Sequence, residues 1–304
     1  RADPHRERFA VCWLLTLTGS LGVFAAGDLV TFYLAFTLAS LAAYGLVVQD
    51  GTPRARQAGV IYLALAVIGE IFLLAGFVLL AAASPGDSLA IKAVVAALPN
   101  SPWFAATVTF LIMGFGLKAG LVPLHVWLPI AHPAAPMPAS AVLSGAIIKA
   151  GVIGLLAFLP LSTALPVWGA GLAAIGLFTA FYGVAIGITQ ANPKTVLAYS
   201  SVSQMGVVAT VLGMAWISAD PGGPMAAAYY AAHHVLAKGA LFLGIGVVAA
   251  CGGRRQLRPV LLVTAVLALG MGGLPLTGGA LAKLATKPIL GYGIVGMLDR
   301  KSVV

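Results

Sequence analysis

Apolar residues run along this chain in blocks too long for a soluble helix or strand. Residues 9–48 form one apolar run of forty residues whose natural break is the pair Gly27-Asp28. One bilayer crossing needs about 20 residues, so the run predicts two helices, near 9–26 and 28–48. A loop marked by Asp50, Arg54 and Arg56 follows, then a third helix over about 58–83 with Glu70 at its centre. Residues 84–102 form a longer connection with room for a short interfacial helix. The fourth helix starts near Trp103 and carries Lys118; the fifth covers about 139–160 and carries Lys149. The sixth, about 166–189, is rich in small residues (Gly169, Gly171, Gly176, Gly183), which suits close helix packing. Asn192-Pro193-Lys194 is a tight turn into the seventh, about 195–217, which opens on Ser200, Ser201, Ser203 and Gln204. The eighth, about 224–250, carries His233, His234 and Lys238. The ninth begins near 259, meets Gly272-Gly273, Pro275 and Gly278-Gly279, and resumes with Lys283, the pattern of a broken helix.

Composition agrees with the pattern. The chain has 304 residues, 61% hydrophobic and 8% charged, against about 25% charged in soluble domains. It is an all-α integral membrane protein with about nine crossings. The formal charge of +9 lies mostly in short loops. With the start placed inside, one side receives Arg1, Arg6, Arg8, Arg54, Arg56, Lys194, Arg254, Arg255 and Arg258, and the other Lys92 among the loops, with Arg300 and Lys301 at the far end as exceptions. That split is the positive-inside pattern with a cytoplasmic start, and it explains the charge without nucleic acid. Cys12 and Cys251 stand far apart and form no CxxC, so they support neither a disulfide framework nor an iron–sulfur or zinc site. The first residue, Arg1, and the lack of a cleavable signal pattern read as an internal piece of a longer protein.

The informative residues are the charges inside the apolar blocks. All nine arginines fall in predicted loops or termini, whereas four of eight lysines (Lys118, Lys149, Lys238, Lys283) fall within helices. Arginine stays protonated in proteins. Burial disfavours an ammonium, so a membrane lysine can release its proton near neutral pH. A chain that used lysine alone at these depths fits proton exchange better than static pairing. Snorkelling to the headgroups is the alternative, but Lys118 follows a long apolar stretch and Lys149 lies halfway along its helix. Glu70 is the one clearly intramembrane carboxylate, either part of the path or a structural ion pair. His234 and Lys238 share a helix face at i, i+4, and histidine is a ready proton shuttle; a hydrogen-bonded packing role is the alternative. His125 and His132 read as loop residues in a Pro/His/Trp segment. GFGLKAG has no preceding strand and no phosphate-loop spacing. No nucleophile–base–acid set, cofactor site or metal site is expected.

Five segments carry a family resemblance: LKAGLVPLHVWLPIAHPAAPMPASAVL, IIKAGV, NPKTVLAYSSVSQMG, HHVLAKGALFL and GGLPLTGGALAK. In this order they resemble the proton-channel subunits shared by respiratory complex I (NADH:quinone oxidoreductase), Mrp-type cation/proton antiporters and membrane-bound hydrogenases. The resemblance implies two inverted repeats of five helices, each with a broken helix, here near 103–135 and 259–296. It divides the chain into a first repeat, 1–160, and a second, incomplete repeat, 161–304, with about three leading and two or more trailing helices lying outside. It makes Lys118 the lysine of the first broken helix, Lys149 a bridging lysine, His234 and Lys238 the pair on the central hydrophilic axis, and Lys283 the terminal lysine. Glu70 falls where some members have an acidic residue. FYLAFTLAS resembles the family's FYVFWELMS, in which the glutamate partners the first lysine; Thr37 holds that place here. Ile130 stands where many members have aspartate, and Ser144 where several have histidine. The implied function is proton translocation in a redox-driven complex, in a multi-pass protein of the bacterial inner membrane, without a cofactor of its own and beside other membrane subunits. An Mrp-type antiporter subunit that also moves Na+, or a non-transporting scaffold, are the alternatives.

Overall fold

The computed structural model describes residues 4–84, 86, 88–251 and 254–299. Among them no residue lies in a strand; a single isolated bridge is the one β feature. α1 (Pro4–Ala25) and α2 (Leu29–Val47) form an antiparallel hairpin. Asp28 caps α2, accepting from the Thr31 backbone N–H at 2.9 Å and the Thr31 hydroxyl at 2.7 Å. Those two donors favour the carboxylate and hold it below its ordinary value. At the other end of the hairpin the Arg8 guanidinium donates to the Gln49 carbonyl at 2.8 Å. α3 (Pro53–Ala83) starts on a Thr52 cap with proline in its first turn. The connection after it folds back on the hairpin turn: Leu29 N–H donates to the Leu89 carbonyl and Ile91 N–H to the Gly27 carbonyl, both at 3.0 Å. It then forms the expected short helix, α4 (Ile91–Ala97).

α5 (Phe104–Ala119) stops at Gly120, whose φ of 83° lies in the left-handed region. α6 (Trp127–Ala134) resumes the crossing after a 3-10 turn at Leu124–Val126. Freed backbone groups in a membrane need partners. Here the Trp127 indole donates to the Leu117 carbonyl at 2.9 Å, and Val122 N–H donates to Thr179 Oγ1 at 3.1 Å. The next crossing is α7 (Met137–Val142), a π turn over Leu143–Ile147, and α8 (Ile148–Phe158). α9 (Pro166–Gly187), α10 (Pro193–Ser218) and α11 (Gly222–Ala250) follow. α12 (Arg254–Met271) and α13 (Gly278–Asp299) flank the Gly/Pro-rich break.

Eight of these stretches are long and apolar enough to cross a membrane. The ninth is present as α12, but its apolar part, Leu257–Met271, is shorter. The arginines at 254, 255 and 258 occupy its first turns. The charged residues also sit differently from expectation: arginines assigned to loops lie at helix ends, with Arg6 and Arg8 in α1, Arg54 and Arg56 in α3, and Arg254, Arg255 and Arg258 in α12. Lys287 lies in α13, so it joins the lysines found in helices. The start of α1 and the turns after α2, α6 and α9 share one end of the bundle, here called the basic face.

α9 and α10 show what the small residues do. A Cβ on Gly176 would meet the Gly206 carbonyl at 2.7 Å, and one on Gly206 would meet the Gly176 carbonyl at 2.6 Å. Gly169 and Gly213 are related in the same reciprocal way, each 2.6 Å from the other's carbonyl. Gly183 meets the Tyr199 carbonyl, while Gly171 faces open space and takes no part. The contact glycines recur every seven residues, the period that keeps one seam facing a partner with left-handed twist. Van der Waals contact between backbones replaces the hydrophobic effect inside lipid. Gly206→Leu is expected to force α9 off α10 and to lower the detergent melting temperature by at least several degrees. The same change at Gly171 should leave it within error. Equal melting of the two variants would show that this seam does not hold the bundle.

Candidate functional site

Two buried clusters hold the ionisable side chains. The first surrounds Lys118, in the last turn of α5 and 3% exposed. Its Nζ donates to Ser40 Oγ at 2.5 Å and lies 5.2 Å from the Phe36 ring and 5.7 Å from the Tyr62 ring. A cation gains from both faces. The Tyr62 hydroxyl donates to the Ser40 carbonyl at 2.9 Å, which fixes that wall of the cage. On the side away from the basic face lie Phe32, Phe77, Phe115 and Phe158, with Phe32 and Phe158 centroids 4.7 Å apart. All four rings are buried and pack on one another.

Glu70, on α3, is 7% exposed, and its Oε1 has no hydrogen-bond partner. Its charge acts on Tyr33, Tyr62 and Lys118. Among the described residues it makes no direct ion pair with Lys118, which turns to Ser40 instead. Thr37 lies one turn before Ser40 on α2, and its buried Oγ1 is likewise unpartnered.

The second cluster draws on three crossings. Lys149 Nζ lies 2.5 Å from His234 Nδ1 and 3.0 Å from the Ser144 carbonyl. That carbonyl belongs to the π turn. A π turn shifts the i→i−4 ladder and recurs at functional sites; here it puts a carbonyl within reach of the lysine. Ser144 and Ser201 hydroxyls are 3.0 Å apart, and Ser201 donates to the Leu197 carbonyl at 3.1 Å. The same carbonyl accepts from Lys238 Nζ at 2.8 Å. Lys149 is 4% exposed, His234 1% and Lys238 0%. His234 Nε2 has no partner. Ser203 is buried on α10 where that helix packs on Gly183 of α9, and Gln204 accepts from the Tyr230 hydroxyl.

Lys283 stands apart. It is exposed on α13 and donates to the Gly272 carbonyl in the break. His233 packs against the same break, since a Cβ on Gly278 would meet its ring at 2.8 Å. Among the described residues no direct hydrogen bond joins Lys118 to Lys149 or Lys238 to Lys283. The structure therefore brings Lys149, His234 and Lys238 together, sets Lys118 and Glu70 in a neighbouring pocket, and leaves Lys283 at the edge.

The sequence reading missed Ser40, Tyr62 and the π turn, none of which has a local signal. It also misplaced His132. That residue lies inside α6 and is 0% exposed, not in a loop. The flanking prolines suggested a loop, but Pro129 lies in the first turn of α6, where proline is tolerated, and Pro133 lies inside the helix, where it has no N–H to give the Pro129 carbonyl.

The fold is thus that of a multi-pass helical membrane protein with lysines and histidines buried between its crossings. Residues 26–288 match the NADH:quinone oxidoreductase/Mrp antiporter transmembrane family, and the chain belongs to it. It is 39% identical over 87% of its length to an uncharacterized protein of Mycobacterium tuberculosis. It is 35% identical over 71% to hydrogenase-4 component B of Escherichia coli. A Na(+)/H(+) antiporter subunit A1 of Staphylococcus haemolyticus is 31% identical over 90%. The chain spans 44%, 34% and 37% of those relatives. Its fold superposes on a chain of the Mrp complex from Dietzia with a TM-score of 0.82, at 27% identity over 90% of this chain and 31% of that one. A chain of respiratory complex I from Thermus thermophilus shares the fold, with a TM-score of 0.76 at 24% identity over 95% of this chain and 66% of that one.

Proposed function

We propose that this chain is the channel-forming part of a proton-translocating membrane subunit in a redox-driven complex of the NADH:quinone oxidoreductase or hydrogenase kind. The observation that carries this is the 2.5 Å contact of Lys149 with His234, with Lys238 buried beside them on the same helix as the histidine. An ammonium and an imidazole at that distance can exchange a proton without either group moving. Lys118, tuned by Glu70, loads the first pocket, and Lys283 delivers at the far break. In this reading 1–160 and 161–304 are two inverted repeats, and neighbouring membrane subunits supply the drive by shifting the charge state of one lysine at a time.

The test is proton flux in inverted bacterial membrane vesicles carrying the full-length protein in its complex. Lys149→Ala and Lys238→Ala should each lower flux at least tenfold at unchanged subunit level. Unchanged flux in both would favour the scaffold alternative. Sodium transport is the second reading, supported by the similarity to the antiporter subunit and the Mrp complex. Sodium sites use carboxylates and unwound carbonyls, and Glu70 is the one buried carboxylate among the described residues. Radiolabelled sodium uptake in the same vesicles separates the two: uptake that Lys149→Ala abolishes along with proton flux would favour the antiporter.

The basic face is assigned to the cytoplasm, in a bacterial inner membrane, by the positive-inside rule. Single cysteines at Gln256 and at Asp220, in a background lacking Cys12 and Cys251, should label from opposite sides. Labelling of both from one side would overturn the helix order.

A further inference from the structure

Lys92 is the basic residue that the loops leave at the end of the bundle opposite the basic face. It is exposed in the first turn of α4, and that helix is fixed in place. Ile91 N–H is tied to the Gly27 carbonyl at 3.0 Å, and Val94 and, just past the helix, Leu98, both 0% exposed, anchor its other side in the bundle. Trp103, 55% exposed, opens α5 at the same end. An exposed indole at the end of a crossing marks headgroup depth. Between the Lys92 side of α4 and the end of α8 lies a cavity of about 480 Å³. Val95 of α4 lines it beside Lys92, Leu156 and Ala157 of the last turn of α8 line its deeper part, and Ser162 and Thr163, past the end of α8, line its outward part. The outward wall is held as well: the Trp216 indole donates to the Pro160 carbonyl at 3.1 Å, and Leu165 N–H donates to the Trp216 carbonyl at 3.1 Å. Among the described residues no carboxylate pairs with Lys92. Asp220, at the same end, is taken up by the Gly222 N–H at 2.8 Å.

A merely solvated lysine explains this poorly. A basic loop residue at this end runs against the positive-inside pattern, and a solvated one needs no rigid wall across from it. The order of the lining is the telling feature. Lys92, Ser162 and Thr163 lie outward, and Leu156 and Ala157 lie deeper. A phospholipid at headgroup depth has the same order, with its phosphate outward and its acyl chains inward. We propose that this cavity binds the headgroup of an anionic phospholipid from the leaflet opposite the basic face. Lys92 holds the phosphodiester as a point charge. The hydroxyls of Ser162 and Thr163 are donors for its free oxygens. Val95, Leu156 and Ala157 take the first methylenes of an acyl chain. A choline headgroup carries its own cation, which cancels the phosphate charge and repels Lys92, so the site selects lipids of net negative charge. Free phosphate has the charge but gains nothing from the apolar part of the cavity. The inference goes beyond the proton-translocating reading and does not depend on it.

The experiment is photo-crosslinking of the full-length protein, in its complex, in phosphatidylcholine nanodiscs. The probes are phosphatidylglycerol and phosphatidylcholine, each carrying a diazirine near the carboxyl end of one acyl chain, and mass spectrometry reads the peptides covering 91–99 and 156–163. The phosphatidylglycerol probe should label these peptides at least threefold more than the phosphatidylcholine probe. Lys92→Glu should lower that labelling at least threefold at wild-type subunit level, while Lys92→Arg stays within twofold and labelling elsewhere on the complex is unchanged. Smaller differences, between the probes or between wild type and Lys92→Glu, would overturn the proposal. If Lys92→Glu does not accumulate, Lys92→Gln is read by the same threshold. Loss of labelling in millimolar inorganic phosphate would give the site to the free anion and overturn the lipid assignment. Absence of labelling at these peptides, with labelling elsewhere on the complex, would mean that another subunit covers the cavity, and the proposal would fall. Proton flux does not enter the readout, so failure here leaves the function proposed above standing.

Discussion

Lys118→Ala is expected to lower proton flux at least tenfold, and Lys118→Arg to stay as low as alanine. The cage explains both. Lys118 Nζ fills a space bounded by Ser40 Oγ and the rings of Phe36 and Tyr62. Alanine removes the ammonium that fills it. Arginine returns the charge and can still sit against two aromatic faces, but its guanidinium does not give up a proton. The readout is flux in vesicles with the variant subunit at wild-type level. Wild-type flux with arginine would mean that a fixed charge suffices, and the carrier role would be wrong.

Glu70→Gln is expected to remove most of the flux, and adding Thr37→Glu to return part of it. Lys118 has no carboxylate in contact among the described residues, so any carboxylate that acts on it does so through space. Glu70 is buried and its charge acts on Lys118. An opposite charge close by favours the charged form of a group, against burial, which disfavours it. Glutamine keeps the shape and deletes the charge. Thr37 sits one turn from Ser40 and has an unpartnered buried hydroxyl, so a carboxylate at 37 would enter the same polar space. Intact flux in Glu70→Gln would make Glu70 structural and move the partner of Lys118 to another subunit. Loss without recovery in the double variant would leave Glu70 necessary but show that position 37 cannot replace it.

Much of the architecture was legible because bilayer thickness imposes one length on every crossing. The block boundaries at Gly27-Asp28, at Asn192-Pro193 and at Gly272–Gly279 all coincide with breaks in the structure. The lysines were legible for a related reason: a charge in an apolar block is conspicuous, since composition hides nothing around it. His132 was not, because two prolines suggested a loop where the chain forms a short helix. Ser40 was invisible, one serine among many small residues of α2, until the end of α5 brought Lys118 against it.

The chain by itself therefore determined the class, the crossings, the break points and the identity of the buried bases. These follow from transfer free energies and backbone satisfaction, which are properties of each segment alone. Which bases meet was decided by the tertiary structure. The Lys149–His234 contact spans 85 residues and the Lys118–Ser40 contact 78. Local spacing cannot encode such pairs, because they depend on how close the glycine seams let the helices come and on where a π turn rotates a side chain.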